Sequence, residues 1–278
     1  MDSARTGEAT HLNGCTYEEL AVDISRLARS AGAEILKIYQ SAASDSSRLN
    51  TLFKNDQSPV TTADYVAHSI IVTGLGDRYP SIAVVSEEDE KSLKHRAHKG
   101  CYWLIDPLDG TKEFIARNGE FTVNIALVCD GHPIWGLVFA PALDQLYWGG
   151  AGLGSFRQSR GTLDSIRVST PVSDGQTYRV VASKSHLNDD TLAFIAKLGS
   201  TMLIQAGSSL KFCRVAEGEA DIYPRLAPTC EWDTAAAQAI VEGAGGFVTD
   251  VFGVPLKYSK PVILNPHFIA ASSCTPHF

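Results

Sequence analysis

The sequence predicts an α/β protein in which helices and strands alternate, arranged as two subdomains that share an interface. Three observations lead there. An amphipathic stripe begins with a capping box near residue 16, a long alternating hairpin fills the middle, and short strands interleave with helices beyond residue 155. In T-Y-E-E at 16–19, Thr16 caps a helix and Glu19 reaches back to it. Leu20, Ile24, Leu27, Ala31, Ile35 and Ile38 then recur at three- and four-residue spacing, the period of a buried helix face. A polar loop, 41–50, leads to KNDQSPVTTADYVAHSII, where an extended piece with Pro59 enters a second helix near Thr61 and Thr62. IAVVSEED and CYWLIDP read as strands with acidic C-terminal ends. FTVNIALVCDGHPIWGLVFAP alternates through an Asp-Gly turn, a hairpin signal, and QLYWGG adds a strand. YRVVASKSH, TMLIQAG and ADIYPR follow as short strands, with helices at 188–198, 208–217 and 233–242.

The glycine-rich GGAGLGSF lacks the helix and lysine that follow a P-loop, so it reads as a connecting loop. It sets the expected organisation: a disordered tail over 1–14, an N-terminal α+β subdomain over 15–155, and a C-terminal α/β subdomain over 156–278.

Composition narrows the function. With 278 residues, 44% hydrophobic, the chain can bury a sizeable core. Its formal charge of −7 argues against a nucleic-acid polymer as partner, because binding a phosphate backbone needs a basic excess. A small anionic substrate held by a few cations or metal ions stays open. No apolar run is long enough to span a bilayer. The first fourteen residues carry Asp2 and Glu8, unlike a secretory signal. The six cysteines form no C-x-x-C pair, so reduced, mostly buried thiols in a cytoplasmic protein are expected. His68, His95 and His98 lie in no motif and are expected at the surface.

The chemistry sits in WLIDPLDGTKEF, where an apolar strand ends in Asp106 and Asp109. Buried carboxylates are costly unless something positive meets them. A Pro107 turn and a hard-cation site both fit that stretch alone. Glu87 and Glu88 end the other acidic strand, and ligands in open α/β sheets bind beyond the carboxyl ends of strands. Asp64 and Asp233 each fall in the first turn of a helix, where capping is a sufficient local role. Taken together, SPVTTAD, SEED, DPLDGT and WDTAA, in this order, point past capping and turn chemistry. Gly110 lets the backbone approach a phosphate, and the N–H groups of a helix beginning at Thr111 suit an anion.

With these four motifs the chain resembles the inositol monophosphatase superfamily of Mg²⁺-dependent, lithium-sensitive phosphatases, from Thr16 onward. DPLDGTKEFIARNGEFTVNIAL and GSSLKFCRVAEGEADIYPR resemble its CysQ branch, the 3'(2'),5'-bisphosphate nucleotidases. Lys112-Glu113 and the Ser-Glu-Glu start distinguish that branch from simple inositol monophosphatases. The resemblance implies an αβαβα sandwich, as in fructose-1,6-bisphosphatase-like sugar phosphatases. It also implies two or three Mg²⁺ ions held by Glu87, Asp106, Asp109, Asp233 and the Leu108 carbonyl, with Glu88 structural. Thr111 backed by Asp64 would polarise the attacking water, while Gly110, Thr111, His186, Gly207, Ser208 and Lys211 would contact substrate. Lys211, Arg214 and Arg225 are the cations available for a second phosphate. The implied reaction removes the 3'-phosphate of adenosine 3',5'-bisphosphate, with 3'-phosphoadenylyl sulfate as second substrate. An inositol-phosphate phosphatase and a non-catalytic metal-binding protein are the alternatives. The oligomeric state (monomer or homodimer) and peripheral association with the inner membrane face are left open.

Overall fold

The computed structural model describes residues 11–12, 15–41, 52–53, 59–97, 99–173, 175–182 and 187–273. Short strands β1 (His11–Leu12) and β2 (Cys15–Thr16) pair and lead into α1 (Tyr17–Ser41). The capping box is present: Thr16 N–H donates to Glu19 at 2.9 Å and Glu19 N–H to Thr16 Oγ1 at 3.2 Å. A second pair, β3 (Leu52–Phe53) and β4 (Pro59–Val60), precedes α2 (Thr62–Arg78). Then come β5 (Ala83–Ser86), a 3-10 helix at Glu90–Ala97, β6 (Cys101–Asp109), the one-turn α3 (Thr111–Ile115), and β7 (Thr122–Cys129). Strands β8 (His132–Ala140), β9 (Gln145–Gly150), β10 (Gly154–Ser159) and β11 (Thr162–Ile166) follow. The second half runs β12 (Tyr178–Ala182), α4 (Asp189–Lys197), β13 (Thr201–Gln205), α5 (Leu210–Ala216), β14 (Ile222–Arg225), α6 (Glu231–Gly243), β15 (Phe247–Asp250) and β16 (Phe268–Ala271).

Two sheets carry the fold. The first has the order β11-β10-β9-β8-β7-β6-β5, antiparallel except for β5 with β6. The second has the order β13-β12-β14-β16-β15, parallel around β12 and antiparallel from β14 onward. The burial pattern resolves five layers. Leu20, Ile24 and Ile35 of α1 and Ala67, Ile71 and Leu75 of α2 pack with Trp103 and Ile105 on one face of the first sheet. Fully burying one such Leu or Ile stabilises the fold by about 1.5–3 kcal/mol. Tyr102 and Leu104, on the opposite face of β6, join a core built from α5 and α6 with the second sheet. Ile195 and Leu198, at the end of α4, cover the far side against Val180, Ile222 and Ile269. The αβαβα sandwich is therefore present. Strand β6 reads as an unbroken apolar run because it is buried on both faces.

Close approach seats α6. A Cβ on Gly136 of β8 would lie 2.1 Å from the Ala236 carbonyl oxygen, so only glycine lets the helix backbone rest on the strand. Ala235, Ala236, Ala237 and Ala239 supply the matching small surface on the helix.

Several expectations change. The boundary placed at residue 155 falls inside the first sheet: Gly150 and Gly154 pair across a hairpin, and the sheet runs on to Ile166. Glycines there serve a tight turn, not a linker. Of the tail over 1–14, His11 and Leu12 pair with β2, and the other residues lie outside the described ones. The polar loop over 41–50, His98, Lys184 and Cys274 also lie outside the described residues, Ser41 excepted. The late helices begin at Glu231 and Leu210 rather than at 233 and 208, and four strands beyond those expected are present, β10, β11, β15 and β16. Cys101 and Cys129 are not reduced thiols but a disulfide, because facing register positions on β6 and β7 bring their Cα atoms to 4.1 Å. Cys213, which is buried, and Cys15 and Cys230, which are half-buried, take part in no disulfide. His68 is no bystander on the surface: its Nδ1 lies 2.8 Å from Ser86 Oγ. Among the described residues, no helix is long and apolar enough to cross a membrane.

Candidate active site

The two aspartates of β6 leave the strand through an irregularity. Asp106 pairs with Asn124 and Asp109 with Thr122, and the register shifts between them. Pro107 cannot donate to the ladder, and a bulge re-aims the side chains around it. Leu108 N–H turns back onto Asp106 Oδ1 at 3.1 Å. Gly110 follows in the left-handed region, at φ 88°, and starts α3. A Cβ there would stand 3.0 Å from Ser208 Cβ, so this turn also touches the second half of the chain.

Carboxylate oxygens of Glu87, Asp106 and Asp233 lie within 4.8 Å of one another. They come from the end of β5, the end of β6 and the first turn of α6. Asp233 is held by Cys230 N–H, which donates to Oδ2 at 2.7 Å. Burial, then the charges of Asp109 and Glu87, push the Asp233 carboxyl well above the usual carboxylate range. A knot of like charges that raises its own proton affinity fits a hard divalent cation, whose preferred ligands are carboxylate and carbonyl oxygens.

Asp109 stands beside this cluster in the same cleft, about 250 Å³ in volume. Its Oδ2 accepts from Ser209 Oγ at 2.8 Å and, at 3.4 Å each, from Thr122 Oγ1 and Asn124 Nδ2. Ser209 also reaches the Asp233 carbonyl at 3.0 Å and accepts from Asn124 at 2.8 Å. Reading the sequence missed Ser209, Thr122 and Asn124. The available signal was two polar residues on one face of an otherwise apolar strand, directly opposite Asp106 and Asp109.

Thr111, on the cleft wall, donates to Asp64 Oδ1 at 3.3 Å, with the Leu108 carbonyl at 3.4 Å. Asp64 is buried at the start of α2, and its Oδ2 accepts from Thr61 N–H at 2.8 Å and Thr61 Oγ1 at 2.7 Å. Across the cleft, Ser208 adopts φ 47°, meets Thr122 Oγ1 at 2.6 Å, and leads into α5. Gly207 is crowded, with Glu113 and Glu120 each 2.8 Å from where a Cβ would sit. Lys211 lines the cleft with Arg225, its ammonium 5.6 Å from the Tyr223 ring. Burial lowers the Lys211 pKa to about 8, against the opposing pull of Asp109. Of the residues expected at the site, Asp64, Glu87, Asp106, Leu108, Asp109, Gly110, Thr111, Gly207, Ser208, Lys211 and Asp233 are drawn together by these contacts. His186 lies outside the described residues. Arg214 pairs with Glu217 instead, and so is engaged away from the cleft.

Comparison with known proteins agrees with this geometry. The chain is 45% identical over 246 residues to the 3'(2'),5'-bisphosphate nucleotidase CysQ of Salmonella typhimurium, covering 88% of this chain and 96% of that one. Its namesake in Buchnera aphidicola is 42% identical over 259 residues, 92% and 95% of the two chains. Among solved structures, CysQ from Bacteroides thetaiotaomicron, a bacterial member of the inositol monophosphatase family, superposes with a TM-score of 0.76. That match has 42% identity and covers 91% of this chain and 96% of that one. An IMPase from Thermotoga maritima matches with a TM-score of 0.71 at 25% identity, over 91% and 92% of the chains. The model of the inositol monophosphatase family matches residues 17–276, nearly the whole length over which the sheets and the cleft are built, and the chain belongs to that family.

Proposed function

We propose that this protein is a Mg²⁺-dependent 3'(2'),5'-bisphosphate nucleotidase that hydrolyses the 3'-phosphate of adenosine 3',5'-bisphosphate to give AMP and phosphate. One observation carries the choice of substrate. The cleft is lined by two sets of charges, the carboxylates Glu87, Asp109 and Asp233 and the cations Lys211 and Arg225. An ester with one phosphate needs only the first; an ester with two uses both. The nucleotidase relatives support the same reading.

Glu87, Asp106, Asp109, Asp233 and the Leu108 carbonyl would hold the ions. Mg²⁺ there would neutralise phosphate charge and lower the pKa of bound water. The chain's own contribution begins at Thr111. Because its hydroxyl donates to Asp64, its lone pairs face away from that carboxylate and can accept from a water in the cleft. The water's proton then passes along Thr111 toward Asp64 as the oxygen attacks phosphorus, while the ribose 3'-oxygen leaves as its bond to phosphorus breaks and takes a proton from water in the cleft. Asp64 is fixed for this by its two bonds from Thr61. Gly110 and the N–H groups behind it leave room for a phosphate against the backbone. Lys211 binds the second phosphate by a charge-assisted hydrogen bond, and Gly207 and Ser208 add to the substrate wall, with His186 as a further expected substrate contact. The sulfated analogue, 3'-phosphoadenylyl sulfate, presents an anion at the same place and is a second substrate.

The test is phosphate release from adenosine 3',5'-bisphosphate, 3'-phosphoadenylyl sulfate and inositol 1-phosphate, with Mg²⁺ and with chelator. Preference for the nucleotides, abolished by chelator and by Li⁺, is expected. A preference for inositol 1-phosphate would replace the nucleotidase reading with an inositol phosphatase.

A further inference from the structure

The carboxylate cluster depends on three segments that meet far apart in sequence, and all three are tied to one loop outside the cleft. Glu231 is fully buried two residues before Asp233. Lys260 Nζ donates to its Oε1 at 2.7 Å, Lys260 N–H at 3.2 Å, and Ser259 N–H reaches Oε2 at 3.2 Å. Arg96, in the 3-10 helix that follows Glu87, places Nε 3.7 Å from Glu231 Oε2 and donates from Nη2 to the Lys260 carbonyl at 2.7 Å. Tyr102, four residues before Asp106 on β6, meets Ser259 Oγ at 3.1 Å. Asn265 closes the set, donating to the Cys230 carbonyl at 2.7 Å, next to the cap of α6. The segments bearing Glu87, Asp106 and Asp233 therefore each end on residues 259–265.

We propose that this loop sets the spacing of the metal cluster, with Glu231, Arg96 and Lys260 as positioning residues for Glu87 and Asp233. The proposal rests on the reading of the cluster as a metal centre. Two features favour a positioning role over plain stabilisation. A buried ionic group is a poor source of net stability but a good source of register, since an alternative pairing leaves a charge unmet. The anchor is also placed at α6's first turn, where a small rotation would displace Asp233 more than any residue farther along the helix.

Mn²⁺ is the probe, its dissociation constant measured by electron paramagnetic resonance without substrate. Melting in chelator is recorded on the same samples. Glu231→Gln and Lys260→Met are expected to melt as folded proteins yet bind Mn²⁺ roughly ten- to a hundredfold more weakly, as outer-shell changes at metal sites do. Lys260→Arg is expected to restore affinity, and Lys257→Met, at an exposed charge just before the loop, to leave it unchanged. KM for the nucleotide at saturating Mg²⁺ should stay within about twofold, because the cleft wall is untouched. Mn²⁺ affinity within twofold of the parent in both folded variants overturns the proposal, as does failure of both to fold, which assigns the network to stability alone. A parent protein that binds no Mn²⁺ overturns the metal centre itself, a separate result.

Discussion

The N-termini of α2 and α6 are built alike and face different tasks. Each carries an aspartate at the third helical position of a capping box, Asp64 behind Thr61 and Asp233 behind Cys230. In both, one carboxylate oxygen accepts the cap residue's backbone N–H, at 2.8 and 2.7 Å. What differs is the surroundings of the carboxylate. Asp64 meets the hydroxyl of Thr111, a neutral partner. Asp233 is buried among other carboxylates, and burial, then their charge, raises its proton affinity. Capping and chemistry are therefore not competing explanations of such a residue. The cap fixes one oxygen, and that fixes where the other points.

The largest expected effect comes from separating the two functions of Asp233. Asp233→Asn keeps a carbonyl oxygen for the Cys230 N–H but removes the charge. Turnover should fall on the order of a thousandfold or more, since several kcal/mol of metal-borne stabilisation is lost. The metal-free protein should respond in the opposite sense. A carboxyl whose folded pKa lies above its unfolded value costs stability when ionised. The parent in chelator should therefore lose stability as pH rises from about 4 toward the raised folded pKa. The Asn variant should lack that slope, a difference read by melting across pH.

Asp64→Asn is the matching change at α2. It should lower kcat by roughly 10²–10⁴-fold while leaving Mg²⁺ affinity near that of the parent, since it removes a proton acceptor. Equal loss of Mg²⁺ affinity in the Asp64 and Asp233 variants would erase the distinction drawn between the helices. At Lys211, the effect is smaller. Lys211 is the protonated partner of the second phosphate, and burial lowers its pKa to about 8. As pH rises through 8 the ammonium is lost, so kcat/KM for adenosine 3',5'-bisphosphate should fall about ten- to a hundredfold. That for inositol 1-phosphate should not follow. Smallest is the cap itself. Thr61→Ala should cost about 1 kcal/mol in denaturant unfolding, and Cys230→Ala less, because sulfur is the weaker acceptor.

Three carboxylates of the cluster and its surroundings were legible in the sequence for a physical reason. They sit where apolar strands stop, so a charged residue interrupts a pattern that is otherwise unambiguous. Asp106 and Asp109 after WLI, and Glu87 after AVVS, are such interruptions. Helix α1 was legible through Thr16, Glu19 and its stripe, and the β7–β8 hairpin through Asp130-Gly131. The rest depended on contacts distant in sequence. Ser209 looks like a second serine in a helix start until Asp109 is brought to it from a hundred residues away. The buried role of Glu231 depends on Lys260 and Arg96, which no local pattern links. Strands β10 and β11 were hidden because the glycines of the β9–β10 turn read as a boundary, and β15 and β16 because two four-residue strands that pair across an intervening loop leave too short a pattern. The disulfide was missed because cysteine spacing carries no register, whereas the pairing of β6 with β7 does.

The seating of α6 on Gly136 has a consequence for the cleft. The helix already rests backbone against strand, so it can come no nearer to the first sheet, and the depth at which Asp233 sits is set from below. Any side chain at 136 would have to push α6 outward and carry Asp233 with it, so a change buried under the helix would be felt at the carboxylate cluster.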